Sequence, residues 1–185
     1  MASFQKYFLA IVPGGELQEK ATALKLELKE RFNIKYALKS PAHITLKMPF
    51  TYNEAKEDYL IEKLQEFMID YSPLELTIGG IDTFGNRVVF LKVKGNDDLF
   101  QLQTNLKSFC KRELKLNEEL SDRNYHPHMT LAFKDLKKNS IPNIIKVLDS
   151  QPIFEKIVVM QFFLLKRANG RWFIHRSVDF GEKNQ

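Results

Sequence analysis

His43-Ile44-Thr45-Leu46 recurs 85 residues further along the chain as His128-Met129-Thr130-Leu131. In an extended strand, residues i and i+2 share a face. Each stretch therefore reads as a strand that turns one imidazole and one hydroxyl to one side. The apolar pairs Ile44/Leu46 and Met129/Leu131 turn to the other. The surroundings repeat as well. Residues 7–12 form a β-rich run closed by Pro13-Gly14-Gly15, and residues 88–93 form another closed by Gly95-Asn96. Helical spacing follows each run: Leu17, Ala21, Leu24, Leu28 and Phe32 in the first copy, Leu99, Leu102, Leu106, Phe109 and Leu114 in the second. Asp97 and Asp98 suit the positive end of the second helix. After each motif comes another helical pattern, Leu60, Leu64, Phe67 and Tyr71 with Asn53 as cap, and a weaker one over residues 139–148. Each copy ends on a strand, residues 74–78 stopped by Gly79-Gly80, and residues 157–165. Phe8 and Phe90 lie 82 residues apart, close to the spacing of the histidines, as a duplicated unit requires.

The order strand–helix–strand–helix–strand, met twice, predicts an α+β fold with two lobes. Antiparallel sheets are expected around a central cleft, related by a pseudo-twofold axis. The whole chain, residues 1–185, is then one bilobal domain of interleaved lobes. The copies span about residues 7–80 and 87–166. Asn169-Gly170 predicts a hairpin that returns the chain over residues 172–180. Residues 117–124 read as a polar loop.

Composition narrows the function classes. With 44% hydrophobic and 28% charged residues the chain is an ordinary globular sequence, which excludes disordered and collagenous readings. The longest apolar stretch, residues 157–165, is interrupted by Gln161 and falls well short of the roughly 20 residues a membrane helix needs. No basic leader precedes residues 7–12 beyond Lys6, and no small-residue cleavage site follows, so no signal peptide is expected. A lone Cys110 allows no internal disulfide and no cysteine-based zinc site. The expectation is a cytoplasmic protein with no membrane partner, taken as a monomer. A net charge of +5 is compatible with a phosphate-bearing ligand.

Two imidazoles and two hydroxyls facing one cleft suit phosphoryl chemistry. Histidine, with an ordinary pKa of about 6.5, serves as acid or base near neutrality. The threonine hydroxyls can donate to non-bridging phosphate oxygens as charge builds there. Opening a cyclic phosphodiester needs one group to activate water and another to protonate the leaving ribose oxygen. His43, Thr45, His128 and Thr130 are thus the candidate catalytic residues. No clustered carboxylates or His-x-x-x-His spacing adjoin them, so neither metal nor cofactor is expected. His175-Arg176-Ser177 matches the short pattern too, but lies on the hairpin's return strand and outside the repeat, so it reads as an ordinary strand histidine. Phe84 and Arg87, beside the strand that borders the cleft, are candidate substrate contacts, a base-stacking ring and a phosphate ligand. Asp179-Phe180-Gly181 spells a kinase tripeptide without the rest of a kinase.

The paired motif, with Tyr125-His126-Pro127-His128-Met129-Thr130-Leu131 foremost, resembles the two-histidine (2H) phosphoesterase superfamily, in particular its 2′-5′ RNA ligase-like branch. Tyr7-Phe8-Leu9-Ala10-Ile11, Arg87-Val88-Val89-Phe90 and Asn169-Gly170-Arg171-Trp172 are similar to further stretches of that family. The resemblance implies a metal-independent enzyme acting on 2′,3′-cyclic phosphate ends of RNA or nucleotides, with RNA ends or cyclic nucleotides as partners. It also implies reversible 2′-5′ RNA ligation in some members. No Gly-x-x-x-x-Gly-Lys loop or Lys-x-Asp-Gly motif is present, so any ligation would run as reversed transesterification. Lys47-Met48-Pro49-Phe50 stands where the family often carries Phe-Leu-Gly, and strand parity expects Lys47 in the cleft. The rival reading is a nucleotide- or RNA-binding module that keeps the cleft with little turnover.

Overall fold

The computed structural model describes residues 3–181. Its strands are β1 (Phe4–Ile11), β2 (Ile44–Asn53), β3 (Leu74–Phe84), β4 (Val88–Lys94), β5 (His128–Phe133), β6 (Phe154–Val159), β7 (Gln161–Ala168) and β8 (Arg171–Asp179). They form one antiparallel sheet in the order β6-β3-β4-β5-β2-β1-β7-β8. Two four-stranded halves meet at its centre, where β2 and β5 share a single residue pair, Ile44 with Met129. Exchanging β1 with β4, β2 with β5, β3 with β7 and β6 with β8 reverses the order and leaves it unchanged. The third strand of each copy thus pairs with the first strand of the other: β3 lies on β4, and β7 on β1.

Five α-helices, α1 (Gly15–Phe32), α2 (Glu57–Met68), α3 (Asp97–Arg112), α4 (Leu120–Arg123) and α5 (Ile141–Asp149), and three 3₁₀ turns join the strands among the described residues. Of the apolar stripes read from the sequence, Leu17, Ala21, Leu24 and Leu28 of α1 and Leu99, Leu102 and Leu106 of α3 are buried, while Phe32 and Phe109 are half-buried and Cys110 takes the inner place beside Phe109. Asn33 ends α1 in the left-handed conformation at φ 55°, and its N–H returns to the Lys29 carbonyl at 2.9 Å. Asn96 opens α3 by accepting from Leu99 N–H at 3.0 Å. Asn53 caps a single 3₁₀ turn, Glu54–Lys56, that leads into α2. Alternation divides β1 between two faces. Tyr7, Leu9 and Ile11 join the helix-covered core, whereas Phe8, Ala10 and Val12 pack with Leu165 beneath Trp172 on the other. None of the described helices is long and apolar enough to cross a membrane.

Three expectations change. Residues 157–165 are not one strand: the chain breaks at the exposed Met160, and β6 and β7 run to opposite halves of the sheet. No glycine or proline stands at the break, and Gln161 beside it is the one polar residue in the run. Gly79-Gly80 does not stop β3. Gly79 pairs with Phe154, Gly80 takes φ 73°, and the ladder to β4 shifts register between Ile78 and Ile81. The loop over residues 117–124 contains the short helix α4, with Asp122 buried.

A methyl group at Gly79 would lie 2.3 Å from the Ile153 carbonyl oxygen and 2.6 Å from the Phe154 ring. Gly79→Ala is therefore expected to lower stability by about 1–3 kcal/mol in denaturant unfolding. An unchanged midpoint would contradict this packing of β6 on β3.

Candidate active site

The pair Ile44–Met129 fixes the register of the two motifs. One residue to either side, His43 comes opposite Thr130 and Thr45 opposite His128. The two histidines are then diagonal neighbours, about 7–8 Å apart at such a register. Ile44 and Met129 are fully buried on the helix side. His43, Thr45, His128 and Thr130 line one cleft of about 630 Å³ on the other side, a volume in the range of small-ligand sites.

Both imidazoles are held in the same way. His43 Nδ1 lies 2.8 Å from the Pro41 carbonyl oxygen, and His128 Nδ1 lies 2.7 Å from that of His126. A carbonyl can only accept, so Nδ1 carries the proton in each neutral ring and Nε2 is left bare. Aromatic side chains set the ring planes. Phe8 packs on His43 at 4.9 Å, and Phe90 and Phe84 pack on His128 at 5.2 and 4.9 Å. Phe8 and Phe90 are equivalent in the repeat, so each copy brings its own ring to its own histidine. Burial pushes His43 down to about 4, against the raising effect of its Pro41 bond, and the charges of Lys25 and His128 push the same way. Burial also lowers His128, opposed by the His126 carbonyl. Both rings are neutral near pH 7 in the free protein.

The strand parity that placed Lys47 in the cleft fails at a bulge. Ala10 pairs with Thr45 and Leu9 with Lys47, which leaves Leu46 as an extra residue and reverses the faces beyond it. The second copy does the same: Phe90 pairs with Thr130 and Val89 with Ala132, with Leu131 extra. Met48 and Phe133 reach the cleft in consequence, while Lys47 and Ala132 turn inward. Buried there, Lys47 Nζ meets Asp122 Oδ2 at 2.6 Å and the Asn117 carbonyl at 2.9 Å. Asp122 also accepts from Met48 N–H at 2.8 Å and Glu119 N–H at 3.0 Å. Gln103 of α3 adds a bond to the Asp122 carbonyl at 3.2 Å. This knot docks the α4 segment onto β2, so that Ser121 and Asn124 become cleft wall. The sequence held its signal in Lys47 itself, a cation within an apolar strand, but not its partner.

The remaining candidates divide. Phe84 stands in the cleft wall between His126 and His128. Arg87 does not reach it, because the β3–β4 turn, with Gly85 at φ 55°, carries residues 85–87 out to solvent. His175 lies on β8 outside the cleft, its Nε2 bonded to Glu57, which also accepts from Tyr7 and Lys166. Sequence reasoning missed Tyr36, Trp172 and the hairpin tip at Gly170, which also line the cleft. Arg171 ties that tip to the Leu38 carbonyl at 2.9 Å.

Residues 13–171 match the model of the 2′-5′ RNA ligase superfamily. A provisionally named phosphoesterase of Bacillus pumilus strain SAFR-032 is 27% identical over 181 residues, 96% of this chain and 99% of its own. E. coli LigT complexed with 3′-AMP aligns with a TM-score of 0.70 at 20% identity, over 97% of this chain and 100% of that one. The same protein complexed with NADP⁺ gives 0.63 at 20% identity, over 96% and 98%. At such identity the structural likeness speaks for the fold.

Lys47→Met leaves the Asp122 carboxylate buried without its cation, and is expected to cost about 3–5 kcal/mol in chemical denaturation. Adding Asp122→Asn removes the stranded charge while its amide oxygen still accepts from Met48 N–H. The double variant should therefore be more stable than Lys47→Met alone, and equal stabilities would contradict the role given to the ion pair.

Proposed function

The chain belongs to the 2′-5′ RNA ligase superfamily, and from that premise we propose that its cleft hydrolyses 2′,3′-cyclic phosphate ends of RNA or nucleotides. The observation that carries the reading is the pair of imidazoles, each fixed through Nδ1 and each presenting a bare Nε2 beside a threonine hydroxyl. A module that bound phosphate alone would need cations and hydroxyls, not two neutral bases.

His43, the more strongly depressed ring, is the base. Its Nε2 takes a proton from water as the water oxygen attacks phosphorus. His128 binds a proton when the anionic substrate enters, since a neighbouring negative charge favours the imidazolium. It gives that proton to the ribose oxygen as the P–O bond breaks, leaving a phosphomonoester and a free hydroxyl. Thr45 and Thr130, each across the ladder from a histidine, donate to the non-bridging oxygens. With a ribose 5′-hydroxyl in place of water, the same groups join ends: His43 takes the hydroxyl proton as that oxygen attacks phosphorus, the bond to the 3′-oxygen breaks, and His128 protonates it, leaving a 2′-5′ linkage. Both proton transfers come from the chain, so turnover is expected to survive EDTA.

The base must be neutral, so kcat/KM rises as pH climbs through the His43 transition near 4. The acid must be protonated, so it falls as pH climbs through the lowered His128 transition, below the ordinary value of about 6.5. The bell for kcat/KM should thus peak on the acid side of neutrality, its limbs belonging to the pair. His43→Ala and His128→Ala should each lose about 10²–10⁴-fold, and the double variant far less than the product. A substrate with sulfur at the leaving position needs no acid, so it should rescue His128→Ala and not His43→Ala. Rescue of His43→Ala would exchange the roles, and full activity of either variant would remove the mechanism.

A further inference from the structure

Four cations stand at the cleft wall, Lys6, Lys39, Lys134 and Arg167, and none is in an ion pair among the described residues. Two of them gather on one lip around Tyr36, and Arg167 stands at the cleft wall over Trp172, 5.9 Å from its ring centre. Lys39 Nζ lies 4.5 Å from the Tyr36 ring centre and Lys134 Nζ 4.4 Å. Lys134 Nζ also donates to the Tyr36 hydroxyl oxygen at 2.9 Å, which leaves the phenol's own hydrogen free to donate outward. The charge of Arg167 reaches the same phenol, and the Lys134 bond is the largest influence that lowers its pKa. The Tyr36 ring is braced edge-on against Phe133, which β5 brings to the cleft just past its bulge. Asp135, next to Lys134 in the chain, is in no ion pair among the described residues: Oδ2 accepts from Lys35 and Tyr36 N–H at 2.8 Å each, and Oδ1 is buried without a hydrogen-bond partner.

The backbone is strained to make this arrangement. Lys134 has φ 66°, and Asp135 N–H closes a three-residue turn onto the Phe133 carbonyl at 2.9 Å. That is the rare hand of such a turn, and a lysine adopts it at a cost that glycine would avoid. Lys39 and Lys134 share one ring with neither held in an ion pair among the described residues, and like charges so placed repel one another. A second anion would relieve that repulsion. The lip is separate from the histidine pair, since Lys134 follows Thr130 by four residues along β5 and its extension.

We propose that Lys39, Lys134, Arg167 and the Tyr36 hydroxyl form a second-phosphate subsite, so that this protein favours substrates carrying one phosphate group besides the one attacked. The inference rests on the reading of the cleft as a phosphoesterase site, and it adds what that reading lacks, the substrate class. Two sources supply the chemistry: the 5′-phosphate of a mononucleotide, or the internucleotide phosphodiester next to an RNA end.

Calorimetric titration with adenosine 3′,5′-bisphosphate and with adenosine 3′-monophosphate tests the subsite without turnover. The bisphosphate should bind at least about tenfold tighter, the usual worth of charge-assisted hydrogen bonds, and the advantage should shrink as salt is raised. In Lys39→Gln/Lys134→Gln the ratio of the two affinities should fall toward one. In Lys134→Gly it should also fall while thermal stability rises, because the strained turn is relaxed. Turnover of a nucleoside 2′,3′-cyclic phosphate with a 5′-hydroxyl, with a 5′-phosphate, and as the end of a dinucleotide then separates the two sources. Equal affinity for the two adenosine phosphates in the unaltered protein, or an advantage that survives in the double variant, would overturn the subsite. If no cyclic phosphate is hydrolysed while the bisphosphate advantage stands and is lost in the variants, the subsite is supported and the phosphoesterase reading fails instead.

Discussion

Ile44 and Met129 form the one ladder pair that joins β2 to β5 among the described residues, and the cleft follows from it. Because the two strands run antiparallel, this pairing sets each histidine opposite the other copy's threonine. A slip of one residue would turn the polar groups into the helix-covered core and the apolar ones into the cleft. Full burial of Ile44 and Met129 on one face therefore specifies what stands on the other. A single pair suffices at the seam because each motif strand is held on its far side by a longer ladder, β2 by β1 and β5 by β4.

The repeat made much of this legible. His-x-Thr-Leu in two copies gave the strands, the face and the residues that share it. The apolar spacing from Leu17 to Leu28 and from Leu99 to Leu106 gave the helices that cover the back. Less legible was what lies beyond each leucine. Leu46 and Leu131 are bulge residues, and a bulge reverses parity without a glycine or proline to announce it. The destination of β6 and β7 was hidden for a related reason. An apolar run broken only by Gln161 reads as one strand, and says nothing of which edge each part joins.

Departures from the repeat are as informative as the repeat. Lys47 and Ala132 occupy equivalent inward positions after equivalent bulges. Only the first carries a charge, and only beside it does a helix-bearing segment dock through Asp122. On the other side of the cleft, Lys134 follows the second bulge and takes the strained turn that brings its amine to Tyr36. The shared frame holds the two imidazoles, and the asymmetric additions shape the walls on either side. Asp122 was unreadable as a partner because the contact joins residues 75 apart, through a loop whose composition looked merely polar.

The central claim is that two neutral imidazoles, both protonated on Nδ1, face one phosphorus with Nε2 free. Long-range ¹H–¹⁵N correlation spectra of the four histidines, recorded near pH 7 with and without a nucleoside 3′-phosphate, test it most directly. The account predicts the Nδ1–H tautomer for His43 and His128 in the free protein, and ligand-induced shifts at Nε2 of both rings together, with His175 unmoved. An Nε2–H tautomer at either ring, or a response confined to one of them, would contradict it.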